Sequence, residues 1–197
     1  MNDYYRNKLL IIISSPSGAG KTSVCKKIIE KDDSITLSIS DTTRPARDNE
    51  INGKDYNFIN EDQFKSRILS KSYIEHAKVF GNYYGSLYKN IDYYFSHNKD
   101  VLFDIDWQGT KQLKNSLYSN ILSIFIIPPS KKIIHERLIK RAKTSGDNED
   151  SIDDRMKKYE TEMSHKDDYD HIVINDNLDE CVKQILSIIA EKRKLIH

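Results

Sequence analysis

Residues 11–23 read IIISSPSGAGKTS, an apolar run that passes through a glycine-containing turn into a lysine–threonine pair. That order suits the holding of phosphate. Gly18 and Gly20 allow backbone N–H groups to turn inward as an anion nest, and a helix beginning after them adds its positive end. Lys21 is spaced to reach a transferring phosphate, and the Thr22 hydroxyl to bind Mg²⁺. The usual pattern, G-x-x-x-x-G-K-[ST], has its first glycine where this chain has Ser15. A small residue serves there provided that its φ is negative.

A second constellation lies in VLFDIDWQG, residues 101–109. Asp104 and Asp106 are two apart at the end of an apolar strand and so share a face. Carboxylates in that position hold Mg²⁺ through water or meet an acceptor substrate, and Asp106 has the alternative of capping the next helix. The arginines are a third signal. The chain has 23 Lys and only eight Arg, and five of the eight fall in two regions: Arg44 and Arg47, then Arg137, Arg141 and Arg155. Where lysine supplies the surface charge, arginine marks places that need a planar fork.

These groups require a scaffold. Five apolar runs, 9–14, 35–39, 101–106, 121–127 and 171–175, read as strands, most of them nearly continuous in Ile, Leu, Val and Phe, as in a parallel sheet covered on both faces. Helical spacing appears over 22–30 and 131–143, and again after Asn177, whose capping-box-like start with Glu180 opens the last helix. This is an α/β layered core. Residues 41–95, rich in Tyr, Asn, Asp and Gly, and the polar run TSGDNEDSIDD at 144–154 leave that rhythm. They read as a small substrate domain and a mobile loop.

Composition removes other classes. With 31 basic and 30 acidic residues, no net field advertises nucleic acid or an anionic membrane. No apolar run approaches 18 residues, the first eight residues are polar and unlike a signal peptide, and two cysteines are too few for a disulfide scaffold. A reducing, cytoplasmic setting is the expectation.

Taken in order, SPSGAGKTS, SISDTTRPARDNEINGKDYNFI, YIEHAKVFGNYYGS, FDIDWQG, IPPS and HIVIND resemble guanylate kinase, with matching gaps over nearly the whole chain. The resemblance implies a P-loop core with a five-stranded parallel sheet (1–39, 91–136 and 159–197), a GMP-binding domain over 40–90 and a lid over 137–158. It implies the reaction ATP plus GMP giving ADP plus GDP, with Mg²⁺ as cofactor and dGMP as a second acceptor. Oligomeric state stays open between monomer and homodimer.

The roles carry over by position. Ser15, Pro16, Ser17, Gly18, Ala19, Gly20, Lys21, Thr22 and Ser23 match the ATP loop, and Asn175 an adenine-side contact, with helix capping as its alternative. Thr22 and Asp104 match the Mg²⁺ side. Glu75 matches the carboxylate that accepts guanine's N1–H and N2 amino donors, with Ser40, Ser86 and Asp106 beside the base. Arg44, Arg47, Tyr56 and Tyr84 match the binders of the GMP phosphate. Lys21, Arg44, Arg137, Arg141 and Arg155 match the catalytic cations. Adenine would present an acceptor to Glu75, a mismatch able to reject the analogue by roughly 10⁴. The chain departs from the family's pattern at Asp48-Asn49, where Pro-Gly is usual, and at Lys140-Arg141-Ala142, where GRG is common. A phosphopeptide-binding relative would lose the P-loop, yet Lys21 and Thr22 are present.

Overall fold

A computed structural model describes residues 7–48, 50–145 and 149–196, excepting the side chains of 140–145, 149–151 and 154. Its centre is a five-stranded sheet built from β1 (Leu10–Ser14), β2 (Ile35–Leu37), β7 (Asp100–Asp104), β8 (Ile121–Ile127) and β9 (His171–Ile174), in the order β2-β7-β1-β8-β9. Every pairing in it is parallel. β1 is buried along its whole length because each face has its own cover. Ile11 and Ile13 pack with Val24 and Ile28 of α1 (Lys21–Lys31) and with Val182, Ile185 and Ile189 of α7 (Leu178–Lys194). Leu10 and Ile12 point the other way, toward Ile91 and Phe95 of α3 (Tyr88–Ser96) and Leu113 of α4 (Trp107–Lys114). The period of two along a strand therefore feeds two apolar layers, and an unbroken aliphatic run is what such a strand requires.

A second, four-stranded sheet of order β4-β3-β6-β5 comes from β3 (Asp41–Thr42), β4 (Asn57–Phe58), β5 (Tyr73–Val79) and β6 (Asn82–Leu87). Against it lies α2 (Glu61–Leu69), started by a capping box between Asn60 and Gln63. Phe64 of α2 stacks on Tyr73 and Tyr83 with ring centroids 4.5 and 5.2 Å apart. The fully buried Asp41 is satisfied by the Tyr73 hydroxyl at 2.7 Å, by Asn57 at 3.0 Å and by Arg67.

The α/β parallel core matches the expectation, with edges trimmed: 35–39 pairs only over 35–37, and 101–106 ends as a strand at Asp104. The polar run at 144–154 is a correction. α5 (Lys131–Ser145) continues to Ser145, and α6 (Glu149–Met163) takes up the chain from Glu149; residues 146–148 lie outside the described residues, as does Asn49 of the Asp48-Asn49 turn. The acidic stretch that looked loop-like is favourable in a helix's first turn, next to the positive end of its dipole. Ile152 then buries with Ile134 and Leu138 of α5, with Met156 and Tyr159 packed against them. Among the described residues no helix is long and apolar enough to cross a membrane.

Candidate active site

The loop after β1 is shaped by two left-handed glycines, Gly18 at φ 88° and Gly20 at φ 94°. A Cβ on Gly20 would fall 2.5 Å from Asn175 Nδ2, so close approach as well as φ demands glycine there. Ser15 is not among the described residues with positive φ, and its hydroxyl donates to the Pro16 carbonyl at 3.0 Å, so the substitution for the first glycine is accommodated. Ala19 is fully buried and turns its carbonyl to Asn175 Nδ2 at 2.7 Å and to Arg137 at 3.2 Å.

At the start of α1, Lys21 Nζ sits 2.5 Å from Asp104 Oδ1 and donates to the Ile105 carbonyl at 3.0 Å. Burial works against the ammonium charge, but Asp104 outweighs it and the pKa is raised overall. The other oxygen of Asp104 accepts from the Thr22 hydroxyl at 3.1 Å. One hydroxyl and one carboxylate are hard oxygen donors, the set Mg²⁺ uses when it keeps several waters and shares phosphate oxygens. They fit that ion as part of a nucleotide site, and among the described residues no cluster of three or more His, Cys, Asp or Glu offers an all-protein cage.

Asp106 takes the capping alternative. Its Oδ1 accepts from the backbone N–H of Gln108 and Gly109 at 3.0 and 3.1 Å, at the start of α4, while the side chain still lines the cleft. Asn175 does not cap. Asn177 caps α7, accepting from Asp179 and Glu180, and leaves Asn175 Oδ1 buried without a hydrogen-bond partner.

Glu75 is the most unusual group. It is 3% exposed, and its Oε1 has no hydrogen-bond partner. A one-residue slip in the β5–β6 register sets it opposite Ser86 rather than Gly85, as bulges re-aim side chains. Gly109 lets α4 pass close by, for a Cβ there would come 2.4 Å from Glu75 Oε2. Burial pushes its carboxyl up to about 7, with hydrogen bonding from Ser86 pulling down and Asp106 pushing up. Ser40 and Ser86 lie together, hydroxyl to hydroxyl at 3.1 Å, Ser40 on the cleft wall and Ser86 fully buried.

Arg44, Arg47, Tyr56 and Tyr84 gather on the same side of the cleft. The Arg44 fork grips Glu50 in bidentate fashion at 2.7 and 2.8 Å, and the Arg47 guanidinium lies 3.6 Å from the same carboxylate. Glu50, held below the usual carboxylate range by these cations against the push of burial, thus orders both forks. Tyr56 meets Tyr84 edge to face at 6.0 Å. Burial, with Asp104 adding, raises the Tyr56 phenol well above its ordinary value and keeps it a donor.

From α5, Arg137 reaches the Ala19 and Asn175 carbonyls at 3.2 and 3.1 Å. From α6, Arg155 donates to Ser17 Oγ at 2.9 Å. Arg141 is on α5, but its side chain lies outside the described residues. Of the expected site residues other than Arg141, all but Ala19 and Ser86 line one cleft of about 750 Å³, Pro16 and Ser23 among them. Seven lining residues were not foreseen, and three of them make the more telling contributions. Glu162 accepts from the Ser17 N–H at 3.0 Å, Phe80 closes the cleft from the β5–β6 turn, and Ile105 supplies the carbonyl under Lys21. In the sequence Glu162 is one more charge on a polar helix, and Glu50 sits in NEINGK with nothing in that motif to mark it as the holder of two forks.

The chain is similar to known proteins throughout its length. The family model "Guanylate kinase" matches residues 7–192. Curated guanylate kinases of Rickettsia bellii (strain RML369-C), 44% identical over 190 residues, and Jannaschia sp. (strain CCS1), 44% identical over 194, cover 96% and 98% of this chain and 97% and 88% of their own lengths. A crystal structure of guanylate kinase from Anaplasma phagocytophilum superposes with a TM-score of 0.78 at 32% identity, covering 94% of this chain and 86% of that one. With the family model matching nearly end to end and relatives above 40% identity, the chain belongs to the guanylate kinase family.

Proposed function

We propose that this chain transfers the γ-phosphoryl of ATP to GMP, giving ADP and GDP, with the two ends of the cleft divided between the substrates. The observation that carries the reading is Glu75 Oε1, a buried acceptor with no partner of its own. Buried polar groups are normally paired, and guanine brings two adjacent donors, N1–H and the N2 amino group, to such a carboxylate. Ser40 and Ser86 flank the base, and Asp106, although committed to its cap, borders it. dGMP has the same base edge and phosphate and is a second acceptor.

Arg44 and Arg47 bind the acceptor phosphate from an orientation fixed by Glu50, with the Tyr56 and Tyr84 hydroxyls completing its donor set. On the donor side, residues 15–23 hold the ATP phosphates and Asn175 Oδ1 accepts from the adenine amino group. Lys21, Arg137, Arg141 and Arg155 neutralise charge on the group in transit. The attacking GMP oxygen is already anionic, so no side chain is needed as a base. What this chain contributes is alignment, charge stabilisation and exclusion of water. Thr22 and Asp104 would hold Mg²⁺, the latter through water, and the ion would supply further neutralisation of the phosphates.

On this reading the labour divides among a core of 1–39, 91–136 and 159–197, an acceptor domain over 40–90, and a lid over 137–158. The two cysteines, both free and buried, fit a reducing cytoplasmic setting, where the reaction supplies guanine nucleotide precursors. The test is ADP release in the presence of Mg²⁺ and ATP against a panel of nucleoside monophosphates. GMP and dGMP are expected to turn over, with AMP, CMP and UMP slower by roughly 10⁴. Robust turnover of AMP, or none of GMP, overturns the reading.

A further inference from the structure

The β5–β6 hairpin turns through only two residues, Phe80 and Gly81, between the paired Val79 and Asn82. Both have positive φ, 48° and 81°, as a type I′ turn requires. Gly81 is suited to that position. Phe80 is not: such turns favour Asn or Gly first, and a bulky L residue is strained at positive φ. Strain of this kind persists where something else holds the residue, and it is concentrated at functional sites.

What holds Phe80 is α6. The Arg155 guanidinium carbon lies 5.1 Å from the ring centroid and Lys158 Nζ lies 4.1 Å from it. The two cations are i and i+3 on α6 and so share a face. Arg155 in turn donates to Ser17 Oγ of the phosphate loop at 2.9 Å. Near the far end of α6, His165 stacks on Trp107 at 3.9 Å and 10° between ring planes, and Trp107 is the first residue of α4. α6, packed on α5 through Ile152, Met156 and Tyr159 and tied to Ser17 by Arg155 and Glu162, therefore meets the acceptor hairpin at Phe80 as well.

We propose that Phe80 is a positioning residue that ties the acceptor side of the cleft to Arg155 and thence to the ATP loop. The proposal rests on the substrate assignment above. The strands that meet at Phe80 carry Glu75 on one side and Tyr84 on the other, so GMP engaging those groups fixes the hairpin and presents the ring to α6. Cations on a ring face are attracted by its quadrupole, which makes the link one between acceptor occupancy and the orientation of Arg155.

The readout is a coupling ratio: Kd of a β,γ-imido ATP analogue without GMP, divided by its Kd with saturating GMP, both by calorimetry. Trp107 is the single tryptophan and stacks on His165, two residues past the end of α6, so its emission reports movement at that end. The parent is expected to show a ratio above one and a change in Trp107 emission on adding GMP alone. Phe80→Leu keeps bulk but has no π face, and the ratio should fall by about 2- to 30-fold, the range to which one cation–π contact corresponds. Phe80→Tyr should keep it. Phe80→Asn suits the turn, so it should melt above the parent and still lose the coupling. Lys158→Gln should lower the ratio from the other side without touching the hairpin.

Parental ratio and emission response in Phe80→Leu and Phe80→Asn overturn the link, as does a ratio of one in the parent. A parent that binds the ATP analogue but no GMP overturns the acceptor assignment and the link together, whereas GMP binding without coupling overturns the link alone.

Discussion

A carboxylate kept from water has two competing obligations, and Glu75 shows both. In the role proposed for it, Glu75 must be ionised to accept guanine's donors, yet burial raises its pKa to about 7. Below pH 7 the empty site takes up a proton that the base must displace, so KM for GMP is expected to rise up to about tenfold per pH unit as pH falls. The GMP phosphate also titrates, near pH 6, but it does so equally in a Glu75→Gln variant, whose shallower profile isolates the side chain. The same shift acts on stability with a definite sign. The folded pKa lies above the unfolded value of 4.5, so the native state binds more protons between 4.5 and 7, and stability falls as pH rises through that window. Glu75→Gln should weaken GMP turnover and yet unfold at higher urea than the parent at pH 8, by on the order of 3 kcal/mol, the gap closing toward pH 4.5. A parallel pH dependence in both proteins would show that Glu75 ionisation is not what burial penalises. At this scale the sequence was informative where chemistry is local, as in Gly18, Gly20 and Lys21. It was silent on Glu162, whose partner comes from folding, since Ser17 is 145 positions away. Glu50 has its partners Arg44 and Arg47 only six and three positions off, and it was missed because those forks were read as meeting phosphate alone.

Elements were legible in proportion to how fully their own pattern states their environment. β1 and β8 read as buried strands because both faces are apolar, and α7 because its cap and apolar stripe agree. α6 did not, since its first turn is acidic and its apolar residues, Ile152, Met156 and Tyr159, meet a partner only in α5. The scarcity of arginine was a sound guide to forks but not to their purpose. Two of the three arginines outside the suspected clusters are structural: Arg67 satisfies the buried Asp41, and Arg193 ties the end of α7 to the β2–β7 side of the sheet. Arg193 spreads over Asp100 at 2.8 Å, Asp32 at 2.7 Å and the Ser34 hydroxyl at 2.8 Å. Asp100 is nearly buried and also accepts from the Leu9 N–H, so removing its cation leaves a poorly hydrated charge beside β1. Arg193→Ala is expected to lower stability by about 2 kcal/mol, less than for a fully buried pair because the guanidinium is partly exposed. Urea titration should give a lower midpoint at unchanged slope, with kcat at 25 °C as in the parent. An unchanged midpoint would mean that the apolar face of α7 holds it without the fork.

On the scale of the whole molecule, the cleft joins two surfaces that have no chain-local relation: the C-terminal ends of the parallel sheet and the inner face of the second sheet. Among the described residues, two of its walls present a buried acceptor without a partner, Asn175 Oδ1 beside the phosphate loop and Glu75 Oε1 opposite. Each is an energetic deficit that a ligand donor removes, so each substrate should stabilise the fold independently. A ligand at 100 times its Kd adds about 2.7 kcal/mol, which for a chain of this size is a rise in Tm of roughly 5–10 °C. Lys21 allows the two ends to be separated. Its ammonium is held by Asp104 and the Ile105 carbonyl on the sheet side, whereas the Arg44 fork is held by Glu50. Lys21→Met should therefore abolish turnover and remove most of the thermal shift produced by Mg²⁺ and the imido ATP analogue, while the shift produced by GMP stays within about 1 °C of the parent's. The variant also leaves Asp104 without its cation and should lower the ligand-free Tm, so each shift is measured against the variant's own baseline. Equal loss of both shifts would mean that Lys21 organises the acceptor side as well, and that the two ends of the cleft are one cooperative site rather than two joined by the fold.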